Sequence, residues 1–211
     1  DFQALLHESG HALGLDHTFL DGGGASDFLP TAYDNYRYSL MSYTDIGFYS
    51  VFTVDVGGIH WTGPAVTAIT PMLFDILVIQ DLYGTSTTTR AGATTYTFDP
   101  DTPSLQTIFD SGGVDTFDLT GHTRASEIDL RAASFSSIDL YPYLTQIEDT
   151  VDIFGEGFRG FITDILDAPD AFTWTDNVAI AYGVTIENVF CGDAADDVIG
   201  NSAANDLRGN G

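Results

Sequence analysis

Lysine is absent from this chain of 211 residues, and its six basic residues, all arginine, face 31 carboxylates. The formal charge of −25 excludes nucleic acid and anionic membranes as partners, because both would repel it. A single cysteine, Cys191, rules out an internal disulfide, so stability must come from packing or bound ions. No unbroken apolar run approaches the roughly 18 residues of a spanning helix. What is present is a core-forming composition: 44% hydrophobic residues, with 15 Phe and 10 Tyr, enough for one sizeable domain or two small ones. The acidity has two readings, calcium ligands or a solvated surface suited to salty surroundings, and both are expected, the solvated surface taking the larger share.

The stretch that carries chemistry runs from His7 to His17 and reads H-E-x-x-H-x-x-G-x-x-H. Residues four apart on a helix share a face, so His7 and His11 can offer two imidazole nitrogens to one ion. Glu8 sits beside them, within reach of a water on that ion. Gly14 can take a positive φ and end the helix, and the returning chain brings in His17. Three neutral imidazoles leave one position of a zinc ion open, the arrangement of a catalytic site. Five fixed letters in register arise by chance on the order of once per million positions at even residue usage, too rarely for an accidental helix.

Apolar residues Phe2, Leu5, Leu6, Ala12 and Leu13 predict a helix over 1–13. A Gly-rich loop, Asp21-Gly22-Gly23-Gly24, follows His17, and residues 44–63 read as an irregular loop with short extended pieces. His60 within it is expected at the surface or hydrogen-bonded. Thr70-Pro71 predicts a second helix, with Thr as cap and Pro at the first helical position. Its buried side would hold Met72, Leu73, Ile76, Leu77, Ile79 and Leu82, and Tyr83-Gly84 would end it. Beyond Gly84 the chain turns to short Thr-, Phe- and Asp-rich segments broken by Gly, the pattern of an all-β module. Residues 116–120 and 127–130 alternate in and out, and His122 in a Gly-His-Thr turn is expected to be exposed. Residues near 139–173 look like an insertion, a hairpin or a short helix packed on the sheet.

His7 to His17 followed by Ser39-Leu40-Met41-Ser42-Tyr43 resembles the serralysins, secreted bacterial metzincin proteases. Matrixins share the zinc stretch but lack a tyrosine two places after the Met, and the β-rich second half also argues against them. Ser9 and Thr18 depart from the serralysin pattern without touching a ligand. The run from Pro71 to Gly84 is similar to the helix that closes the family's catalytic domain. The resemblance implies an α+β chain. Residues 1–84 would be the C-terminal portion of a metzincin catalytic domain, with zinc helix, Met-turn and closing helix. Residues 85–211 would be a calcium-binding sandwich or parallel β-roll carrying the 139–173 insertion. It implies Zn2+ on His7, His11 and His17, Glu8 as general base, Tyr43 as an oxyanion donor, and Met41 beneath the metal as a support.

The same resemblance assigns Ca2+ to two sites. Arg90, Gly92, Thr94, Asp110, Gly112 and Asp115 would surround one ion, with Ala93 standing where the family often has Asp. Gly113, Asp115, Thr185 and Glu187 would hold a second. Calcium takes six to eight oxygens from carboxylates and carbonyls, which suits closely spaced Gly and Asp, although a Gly-Gly-x-Asp turn by itself is more often only a turn. Two nonapeptides, 191–199 and 200–208, echo the RTX repeat of a calcium-bound β-roll, with Gly192 and Asp196 in calcium-binding positions. The repeats over 191–211 are degenerate, and an acidic turn-rich tail is the plainer alternative.

The implied function is a secreted zinc endopeptidase acting on protein or peptide substrates. Because no strand precedes the zinc helix, the chain reads as a fragment or cleaved piece, whose substrate-pairing sheet would come from a complementary N-terminal chain or fragment. Such a piece is expected to cleave poorly alone. The alternative is a calcium-binding or adhesive RTX module with a vestigial protease part.

Overall fold

A computed structural model describes residues 2–19 and 29–210. The Gly-rich loop at 21–24 lies outside the described residues. In chain order the first half holds helix α1 (Phe2–Ala12), strands β1 (Val51–Asp55), β2 (Gly58–Thr62) and β3 (Thr67–Ala68), and helix α2 (Leu73–Tyr83). Then come β4 (Thr95–Thr97), β5 (Ser104–Ile108), β6 (Thr116–Asp118), β7 (Glu127–Asp129) and β8 (Phe135–Ser136). Helices α3 (Tyr143–Phe154) and α4 (Arg159–Leu166) precede β9 (Val178–Ile180), β10 (Asn188–Phe190), β11 (Asp197–Ile199) and β12 (Asp206–Arg208). The chain is thus a mixture of helix and strand.

Parallel pairing dominates the second half. One sheet has the order β12-β10-β6-β4, all parallel, and β7 pairs with β11, also parallel. Strands β10, β11 and β12 begin at 188, 197 and 206, so each nine-residue step crosses from one sheet to the other. Phe117 and Val189 from the first sheet meet Ile128 and, partly buried, Val198 from the second, in one core with Ile180 and Ile186. A third sheet, β3-β5-β9-β8, joins the halves, since β3 comes from before α2 and the other strands from after it.

The segment at 139–173 forms two helices rather than a hairpin. Ile147 and Val151, one turn apart on α3, pack on Ile162 and Leu166, one turn apart on α4, as a small separate core. Phe52 of the β1–β2 hairpin lies against this core and meets the Phe154 ring. Phe48 N–H donates to Asp170 O at 3.0 Å, and Phe172 N–H donates to Phe48 O at 2.8 Å. The segment after Tyr43 is therefore stitched to the end of the helical pair.

Three expectations need correction. Helix α2 starts at Leu73, not at Pro71, because Asp75 accepts the Met72 N–H at 2.8 Å and makes Met72 the cap. Thr70 instead accepts the Thr107 N–H, tying the approach of the helix to β5. The apolar faces of the first two helices are less covered than their patterns imply. Phe2, Leu5 and Leu13 on or beside α1 are exposed, as are Leu77 and Leu82 on α2, while Met72 and Leu73 are fully buried. His122 is buried, with 3% of its surface accessible, because the 191–193 turn folds over it. Its carbonyl accepts the Asp193 N–H, Gly192 packs against that carbonyl, and its Nδ1 faces Asp139 Oδ1 at 3.3 Å. His60 is at the surface on Asp55, as expected.

Gly47 has φ +130, and a Cβ there would lie 2.4 Å from Asp170 O, a backbone atom that cannot swing aside. Gly47→Ala should therefore cost about 1–3 kcal/mol or more from strain alone, read as a lower urea midpoint with an unchanged slope.

Candidate metal centre

Helix α1 presents His7 and His11 from one face. Gly14, at φ +91, ends the helix, and Leu15 N–H turns back to Gly10 O at 3.0 Å. This bend returns His17 to the other two rings. His17 Nε2 lies 3.3 Å from His7 Nε2 and 3.1 Å from His11 Nε2. Among the described residues these three are the one group of three or more His, Cys, Asp or Glu whose ligand atoms all lie within 4.8 Å of one another.

The opposite ring nitrogens are held by backbone carbonyls. His7 Nδ1 contacts Leu40 O at 2.7 Å, and His11 Nδ1 contacts Leu15 O at 3.0 Å. A carbonyl can only accept, so each Nδ1 carries the proton and each Nε2 presents its lone pair to the shared point. For a tetrahedral ion with nitrogen ligands at 2.0–2.1 Å, the nitrogens stand about 3.4 Å apart. The observed spacings match that within a few tenths of an ångström, so the donor set fits zinc.

Tyr43 brings its hydroxyl to 3.1 Å from His17 Nε2, while its ring is 60% exposed. Phe19 stacks on His17 with ring centroids 5.0 Å apart. Glu8 follows His7 on α1 and is solvent-exposed. Met41 is buried under the helix, where a Cβ on Gly10 would stand 2.7 Å from its sulfur, so Gly10 is what lets it approach. Thr18 N–H donates to Met41 O, and the Thr18 and Ser42 hydroxyls both donate to Asp34 Oδ1. Thr18 thereby locks the segment after His17 onto the turn that carries Met41.

Asp75 escaped the sequence reading. It is 3% exposed and accepts three hydrogen bonds, from Ser39 Oγ at 2.6 Å and from the Leu40 and Met72 N–H groups at 2.8 Å each. Burial pushes its carboxyl above the usual range, and these donors pull the other way. The signal available in sequence was an acid in the first turn of a largely apolar helix, which reads as a cap and nothing more.

The residues expected around calcium are brought together in part. Turns at 92–94, 112–115 and 185–187 stack across β4, β6 and β10. Asp115 Oδ1 accepts the Thr94 N–H, Asp115 N–H donates to Glu187 Oε2 at 2.7 Å, and Asp115 O accepts the Glu187 N–H. Gly113 packs on the Gly92 backbone, where a Cβ would stand 2.6 Å away. Asp110 accepts the Gly112 N–H and the Tyr96 hydroxyl. Asp115 is fully buried, and its Oδ2 has no hydrogen-bond partner. Burial and the carboxylates of Asp110 and Glu187 raise the Asp115 pKa, partly offset by the Thr94 N–H. The Arg90 guanidinium stands over the Tyr96 ring and donates to Phe109 O, and Thr185 is exposed. In the last repeats Asp196 accepts the Gly192 and Ser126 N–H groups, and Asn205, nine residues on, accepts the Asn201 N–H.

The family model described as Peptidase M10 serralysin C terminal matches residues 76–142. Metallopeptidase AprA of Pseudomonas marginalis is 35% identical over 98% of this chain and 38% of its own length. Serralysin of Photorhabdus luminescens is 33% identical over 98% of this chain and 37% of its own. Serralysin C of Dickeya chrysanthemi is 33% identical over 93% and 36% respectively. The chain thus spans a little over a third of the length of these relatives. Over that extent the chain belongs to the serralysin-type metzincins.

Proposed function

We propose that this chain carries the zinc-binding and general-base residues of a secreted, zinc-dependent endopeptidase. The carrying observation is the convergence of three imidazole Nε2 atoms, two of them fixed from behind by backbone carbonyls. In this reading residues 1–84 form the C-terminal portion of the catalytic domain, with α1 as zinc helix, 39–43 as Met-turn and α2 as closing helix. Residues 85–211 form the calcium-binding β-roll.

His7, His11 and His17 hold the ion through Nε2. Zinc bound there supplies Lewis acidity toward the scissile carbonyl and the attacking water. The Glu8 carboxylate takes a proton from that water and returns it to the leaving amine. The Tyr43 hydroxyl, already beside His17 Nε2, donates to the oxyanion as charge develops. Met41 does no chemistry and supports the rings from below. Substrates are proteins or peptides, matching relatives named as metalloproteases. Extracellular placement follows the same kinship, and among the described residues no helix is long and apolar enough to cross a membrane.

Calcium belongs, in this reading, to the stacked turns around Asp115. A fully buried carboxylate oxygen without a donor, flanked by two further carboxylates, supports a cation at this place. Gly92, Thr94, Gly112, Gly113 and Glu187 would complete the oxygen set with their carbonyls or side chain.

Metal analysis of the purified chain should return one zinc, lost in His11→Ala and retained in Glu8→Ala. Peptide hydrolysis, measured with the complementary part of the catalytic domain supplied, should drop at least about a hundredfold in Glu8→Ala. A chain without zinc, or a Glu8→Ala variant as active as the parent, overturns the reading. Calcium should raise the melting temperature, and Asp115→Asn should remove most of that increment. An equal increment in both proteins would take calcium away from Asp115.

A further inference from the structure

Asp75 links the start of α2 to the turn beneath the histidines. One oxygen, Oδ2, accepts both the Met72 and the Leu40 N–H groups, and Oδ1 accepts the Ser39 hydroxyl. The Ser39 oxygen accepts the Met41 N–H at 3.0 Å in turn. The far side of Leu40 faces the site, where its carbonyl accepts His7 Nδ1–H at 2.7 Å. The Leu40 carbonyl and the Met41 N–H belong to one peptide group, so a continuous path runs from the carboxylate through the Ser39 hydroxyl and that peptide to one imidazole.

We infer that Asp75 is a positioning residue for the metal site, setting the tautomer and direction of His7 through Ser39 and the peptide between Leu40 and Met41. This rests on the zinc reading above and deepens it. Three charge-assisted hydrogen bonds make a stiff clamp, since a buried carboxylate gains from every donor it receives. Because a peptide group is planar, holding the Met41 N–H on Ser39 Oγ fixes the plane of the Leu40 carbonyl, while the Leu40 N–H bond to Asp75 holds the peptide before it, so the turn cannot rotate that carbonyl away from His7. A merely capping role would require only the Met72 bond. The Ser39 and Leu40 bonds contribute nothing to the helix end, and they are the ones aimed at the turn.

The test separates the two roles. Asp75→Asn keeps the shape and can leave its oxygen on the two N–H groups, while its amide faces the Ser39 oxygen. Ser39→Ala removes one clamp bond and leaves the helix cap alone. Thr70→Ala removes a nearby hydroxyl bonded to β5 and serves as the control for stability alone. Zinc affinity of the metal-free full chain is measured by competition with a chromophoric chelator, alongside melting of the metal-free protein. The His7 Nδ1 proton is followed by NMR as a readout that needs no metal. Zinc affinity should fall about tenfold or more in Asp75→Ala, by less in Ser39→Ala and Asp75→Asn, and not in Thr70→Ala. The His7 proton should exchange faster in the first three. Should Asp75→Ala not fold, the two milder variants decide. The inference is overturned if they melt earlier, as Thr70→Ala does, while binding zinc and protecting the His7 proton as the parent does. A parent chain that binds no zinc overturns the zinc reading and takes this inference with it.

Discussion

The arrangement of the histidines depends on the Leu40 residue, whose N–H is held by Asp75 and whose carbonyl holds His7. An imidazole can rotate about two bonds, and nothing on α1 itself decides which nitrogen faces the shared point. Leu40 decides it for His7, as Leu15 does for His11. The helix brings the rings near; the carbonyls behind them aim them. Removing aim while keeping proximity would leave three histidines that look like a site and bind poorly.

The second half is held by a different constraint. Short parallel strands, mostly of three residues, expose too little backbone to be stable one at a time. They gain stability by stacking at a fixed step, with Phe117, Ile128 and Val189 filling the space between the sheets. The turns between strands are closed by side chains of Asp and Asn and by close glycine contacts. At Asp196 and Asn205 the closing groups are fully used by N–H donors, whereas at Asp115 one oxygen is left over. The calcium reading proposed above rests on that leftover oxygen of Asp115.

How much was legible in the sequence follows from how local each feature is. His7, His11, Gly14 and His17 fall within eleven residues and are joined by one helix and one bend, so spacing alone implied their meeting. Strands within 116–120 and 127–130 were readable for the same reason, although their burial does not alternate as expected, since Thr116 and Asp129 are buried beside Phe117 and Ile128. Parallel pairing was not readable from the local pattern and came only with the family resemblance, because β6 finds its partners β4 and β10 through contacts far apart in the chain. His122 was misjudged because its cover comes from Gly192 and Asp139, neither of which its Gly-His-Thr context foretells. Asp75 was missed because its partners lie 35 and 36 residues away. The helix start was misplaced by the same group, since a distant demand on Asp75 also chooses the cap.

Strand β3 precedes α2 and pairs with β5 beyond it, and Phe48 pairs with the chain on either side of Ala171. The peptide link at Gly84 is therefore a seam in chemistry and not in mechanics. Loosening the chain at 170–172 would remove hydrogen-bond partners from Phe48, in the segment that leads away from Tyr43. What lies before Gly84 and what lies after it thus share one sheet and one stitched backbone, and a disturbance on either side would be felt by the segment beside the histidines.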